Sequence, residues 1–160
     1  MSRHSEDATD HPDIIALPPI IVLVFLAAAL LLQWLWPLSL TEEHRYLWRP
    51  CLVLAGMGLA LALWGKRALD RAGTNVDPRK PTTGIVSDGP YRFSRNPLYL
   101  AQALVYLGIT LLFNSWWGPA LLAPLMATLH FGVIRPEERY LLEKFGGEYR
   151  SYRKRVRRYL

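Results

Sequence analysis

Side chains able to do chemistry concentrate in two stretches. The first is DGPYRFSRNPLYLAQ, Asp88 to Gln102, where two arginines and an Asn-Pro pair precede an apolar run. Asn96 is a strong helix N-cap type and Pro97 suits the first helical position, because its missing N–H is not needed there. The free N–H groups and positive end of such a helix, with Arg92 and Arg95 beside it, attract carboxylates and phosphates, a lipid phosphate as readily as a ligand. The second stretch is RPEERYLLEKFGGEYRSYRKRVRRYL, Arg135 to Leu160. Pro136 reads as a helix restart, with Glu137 and Glu138 in the first turn, where acidic groups complement the dipole. If the two stretches met, they could hold a zwitterion, its carboxylate at the first and its ammonium at the second.

Other reactive types are isolated. Cys51 is the single cysteine, which excludes an intramolecular disulfide and a cysteine metal cluster. His130 and Asn114 are the polar residues noted in and between the last two apolar segments. One histidine without a neighbouring ligand is a poor metal site, and no metal is expected.

The elements that must position these groups follow from charge. The 160 residues are half hydrophobic, yet 19 Lys and Arg stand against 13 Asp and Glu, and the classes separate into blocks. Uncharged runs cover Ile14 to Thr41, Pro50 to Gly65 and Asn96 to Ile134, and NSWWGP splits the last run into two. A crossing needs about 20 apolar residues, so an all-α membrane protein with four transmembrane helices in two hairpins is expected. The leader of the first run is acidic and the run is long, so it reads as a retained anchor rather than a cleaved signal. Lys and Arg number one, two, seven and nine in the tail, first connection, long loop and C-terminal stretch. The positive-inside rule then puts both termini and the long loop in the cytoplasm. Trp34, Trp36, Trp48, Trp116 and Trp117 fall near segment ends, as an interfacial belt requires.

One membrane domain over 1–160 is therefore expected. It comprises a mobile tail over 1–16, hairpins over 17–66 and 97–134, a cytoplasmic loop over 67–96 and a cytoplasmic amphipathic tail over 135–160. Gly56-x-x-x-Ala60 and Gly58-x-x-x-Ala62 would let the second helix pack closely. Gly146-Gly147 should break the last helix, after which Tyr149, Tyr152, Val156 and Tyr159 recur at helical spacing between basic residues. Such a helix beside a membrane reads as binding anionic lipid headgroups, with no nucleic-acid partner.

The motifs TTGIVSDGPYRFSRNPLYLA and EERYLLEKFGGEYRSYRKRV, in this order around a membrane hairpin, resemble the isoprenylcysteine carboxyl methyltransferase and phosphatidylethanolamine N-methyltransferase superfamily. The resemblance covers roughly Gly73 to Tyr159. It implies S-adenosylmethionine as the cofactor, held at the cytoplasmic face, and a lipophilic substrate entering from the bilayer. Thr83, Gly84, Ile85, Val86, Tyr91, Asn96, Pro97, Leu98 and Tyr99 would line the cofactor, and Glu137 would take its amino group. Arg95, Arg135 and Glu138 are the candidates for a catalytic part. Asn96 and Thr83 stand where relatives carry histidine. The arginine that meets a prenylcysteine carboxylate would fall near Val133, with Arg135 as the nearest substitute. Alternatives are methyl transfer to a phospholipid amine or small thiol, a membrane reductase using NADPH on a related core, and a non-catalytic membrane adaptor.

Overall fold

In lipid a backbone must satisfy its own polar groups, and long runs of Leu, Ile, Val and Ala do so as helices. A computed structural model, which describes residues 11–42, 48–77 and 79–160, has no strand among them. Its helices are α1 (Pro18–Leu35), α2 (Trp48–Arg71), α3 (Pro97–Leu112), α4 (Trp117–Leu129) and α5 (Arg135–Arg155). α1, α2 and the helical stretch Trp117–Arg155 are long and apolar enough to cross a membrane. α3 is apolar but has 16 residues. Leu23, Val24, Leu52, Val53, Met57 and Leu59 face outward, the surface expected of an integral membrane protein.

Small residues seat α2 on α3. A Cβ on Gly58 would stand 2.7 Å from the Ala101 carbonyl, and one on Gly108 would stand 2.7 Å from the Ala55 nitrogen. Gly56 has open space around it, so only the Gly58 half of the small-residue pattern serves this contact. Ile21 and Ala29 of α1 pack with Tyr99 and Tyr106 of α3 and Leu125 and Leu129 of α4.

Three boundaries differ from expectation. α2 runs to Arg71, beyond the hairpin limit at 66, since Ala68 and Leu69 bury against Tyr91 and Lys66 pairs with Asp70 at 2.7 Å. The tail expected over 1–16 lies outside the described residues up to position 10. From Pro12 the chain is packed, with Ile14 and Ala16 against the core. Pro136 does stand in the first turn of α5 with Glu137 and Glu138, but no break precedes it. α4 continues through a π-turn at His130–Ile134 into α5. Proline at 136 cannot donate to the Gly132 carbonyl, and the Ile15 N–H takes that acceptor at 3.1 Å. The first connection and the loop are described except for 43–47 and 78.

At the far end of the bundle Asn114 sits in the left-handed region (φ 53°) between α3 and α4. Its Oδ1 accepts from the Leu40 and Thr41 N–H groups, each at 3.1 Å, and its Nδ2 donates to the Thr41 carbonyl at 2.8 Å. The Trp117 indole donates to the Trp36 carbonyl at 2.9 Å. Trp34, Trp36, Trp48 and Trp116 remain exposed around these segment ends.

Candidate active site

The opposite end holds a cavity of about 420 Å³. Its walls come from the start of α1, the end of α2, the long loop, the first turns of α3, and α5. Gly146 (φ 50°, ψ −112°) kinks α5. Beyond the kink Tyr149, Tyr152 and Val156 pack on Ile85, Leu141, Leu142 and Phe145. Glycine is needed at that φ because a Cβ would strain it. The Tyr152 hydroxyl donates to the Tyr91 carbonyl at 2.8 Å, tying the kinked segment to the loop.

The chain end completes the frame. The Arg95 N–H donates to the Arg157 carbonyl at 2.9 Å, and the Ser94 hydroxyl and Asn96 Nδ2 donate to the Arg158 carbonyl at 3.2 and 3.0 Å. Asn96 thus occupies the N-cap position of α3 without capping it, because its side chain is spent on the tail. His130 Nδ1 lies 2.7 Å from the Tyr159 hydroxyl, a satisfied, part-buried pair.

Four charged side chains line the cavity: Asp77, Arg95, Glu137 and Glu138. Glu138 is held by Arg158, whose Nε and Nη2 donate to its two oxygens at 3.1 and 2.7 Å. Arg95 Nη1 lies 3.0 Å from Glu138 Oε1, an ion pair with both side chains 9% exposed. The pair is not aligned as a hydrogen bond, and Arg95 Nε and Nη1 remain without an acceptor. Charge balance is therefore met while the buried Arg95 donors lack well-aligned acceptors, which suits a carboxylate ligand. Glu137 Oε2 accepts from the Tyr99 hydroxyl at 2.6 Å, and Oε1 has no partner among the described residues. Burial pushes the Glu137 carboxyl above its ordinary 4.5; the Tyr99 hydrogen bond pulls against the rise, and Glu138 adds to it. Burial likewise lifts the Tyr91 and Tyr152 hydroxyls, and pushes Tyr149 up to about 12, so these stay neutral aromatic walls.

The cavity brings together Gly84, Ile85, Val86, Tyr91, Asn96, Leu98, Tyr99 and Glu137, with Arg95 and Glu138. It leaves out three others. Thr83 is exposed and donates to the Gly73 carbonyl at 3.0 Å, while Thr82 lines the wall. Pro97 is buried as a helix start outside the lining. Arg135 is exposed over the Phe131 ring at 5.7 Å, and Arg92 is exposed as well. Sequence reasoning missed Leu17, Pro18 and Pro19, Thr74 to Asp77, the clamp by Arg158, and Gln102. Only Gln102 left a signal, a polar amide inside an apolar run, which a count of formal charges passes over.

Residues 48–148 match the model of a family described as phospholipid methyltransferase. The chain belongs to that family. It is similar to the cobalt-zinc-cadmium resistance protein CzcN of Cupriavidus metallidurans, with 31% identity over 143 residues, 85% of this chain and 58% of that one. It is also similar to the protein-S-isoprenylcysteine O-methyltransferase of Schizosaccharomyces pombe, with 28% identity over 112 residues, 70% of this chain and 42% of that one. The chain spans about half the length of these curated relatives. No solved structure matches it. The superfamily resemblance seen in the two motifs is therefore borne out, and the molecule is a membrane protein of a methyltransferase family.

Proposed function

We propose that the protein transfers a methyl group from S-adenosylmethionine to a lipophilic acceptor reaching the cavity from the bilayer. The observation that carries this reading is the presence, within one cavity, of the buried Arg95 guanidinium, whose Nε has no acceptor, and the Glu137 carboxylate. These would take the carboxylate and the ammonium of the methionyl part. When bound, the cofactor supplies an electrophilic methyl: the acceptor's lone pair forms the new bond while the carbon–sulfur pair stays on sulfur. The chain's contribution is placement and shielding from water. Tyr91 and Tyr99 would offer ring faces to a cationic centre. Thr74, Asn75, Asp77 and Thr82 make the loop wall polar, and a nucleoside would lie against it. A prenylcysteine acceptor is not favoured, since Val133 is fully buried and Arg135 points outside.

In this reading α3 is the third of four crossings, and the loop, both termini and the cavity face the cytoplasm. The exposed Arg150, Arg153, Lys154, Arg155 and Arg157 would lie on anionic headgroups. Calorimetric titration of the purified protein with S-adenosylmethionine and with NADPH tests the reading. Saturable binding of the first alone, weakened in Glu137→Gln, is expected. No saturable response to the first overturns it.

A further inference from the structure

α3 carries four side chains with polar atoms, and three are satisfied. Tyr99 donates to Glu137, Tyr106 to the Gly118 carbonyl at 3.1 Å, and Thr110 to the Tyr106 carbonyl at 3.0 Å. Gln102 makes no hydrogen bond, and its Oε1 is wholly buried. It lines the cavity one turn deeper than Leu98, roughly 8 Å along the helix from Pro97. Leu17, Pro18 and Pro19 line the same cavity, and the prolines have no N–H to offer. An amide oxygen left bare in an apolar setting is costly, and a bound donor removes that cost.

The charges of the lining narrow what that donor is. Three carboxylates and one arginine face the cavity, and the cofactor's carboxylate would occupy the arginine. A second carboxylate would find no cation there. With the nucleoside on the loop wall, the part of the cavity around Gln102 would be left for the acceptor. Resting on the proposed function, we infer that Gln102 is a specificity residue: its side-chain oxygen receives a hydrogen bond from the acceptor's reacting N–H or S–H group. The acceptor is thus a long-chain amine or thiol rather than a carboxylate. During transfer the acceptor lone pair binds the methyl carbon, the carbon–sulfur pair stays on sulfur, and the acceptor's proton leaves to water. The amide orients the acceptor and neither gives nor takes that proton.

The test measures methylation of dodecylamine, dodecanethiol and dodecanoate in micelles by wild type, Gln102→Leu and Gln102→Glu, with S-adenosylmethionine affinity and melting temperature alongside. Wild type should prefer the amine or the thiol. Gln102→Leu should lose roughly tenfold or more in kcat/KM for that probe. Its cofactor affinity should be unchanged, and its melting temperature equal or higher. Gln102→Glu, which keeps an acceptor oxygen, should retain more activity than Gln102→Leu. Preference for dodecanoate, turnover of no probe, an unimpaired Gln102→Leu, or weakened cofactor binding in Gln102→Leu overturns the inference alone. Wild type that binds no S-adenosylmethionine overturns the proposed function with it.

Discussion

The two ends of the bundle both bury polar side chains where helices are joined, yet they treat them oppositely. At the far end Asn114 spends its amide on three backbone groups of the first connection. At the cavity end Arg95 and Gln102 keep buried atoms unmatched, and Glu137 keeps an oxygen free. A closed polar cluster stabilises a fold. An open one costs stability and is retained where a ligand completes it. The difference separates a structural end from the end where a ligand is proposed.

Breaking the closed end should have the largest effect. Asn114→Leu removes three hydrogen bonds to the Leu40 and Thr41 backbone and puts a branched side chain at positive φ, so it should destabilise by about 3 kcal/mol in detergent melts. Cofactor affinity of the protein that remains folded should hold. Glu137→Gln should do the reverse, with affinity for S-adenosylmethionine falling about 10- to 100-fold by calorimetry and the melting temperature kept or raised. The same residue sets a pH dependence. Folded Glu137 keeps its proton to a higher pH than in the unfolded chain, so its ionisation costs stability as pH rises from 4.5 through its raised value. Ligand affinity should move the opposite way, falling as pH drops through that raised value, and Glu137→Gln should flatten this acid limb.

Gly58→Ala should cost about 1–3 kcal/mol by crowding the Ala101 carbonyl, whereas Gly56→Ala should be neutral or stabilising by up to about 1 kcal/mol. Equal losses would remove the assignment of the α2–α3 seam. Tyr152→Phe, which frees the Tyr91 carbonyl, should have the smallest effect, about 1 kcal/mol in melts. It should weaken cofactor binding only a few-fold.

Much of this was legible beforehand. Charge-free runs marked the helices, and the Arg95–Asn96 and Glu137–Glu138 stretches marked the halves of the cavity, because types and local order are written in the chain. The resemblance singled out Glu137 for the ligand, but what holds Glu138 was not legible. Adjacent glutamates look alike in sequence, and only the return of Arg158 ties Glu138 into an ion pair. Asn96 misled for a related reason. It has a local role as a cap, and a long-range partner, the Arg158 carbonyl, replaced it.

By itself the sequence determined an all-helical membrane chain, its small-residue packing face and its two polar stretches, since hydrophobic length and residue type act locally. Tertiary structure decided which polar atoms are spent and which remain open. That follows from hydrogen bonding, where a donor's availability depends on every acceptor the fold brings within about 3 Å.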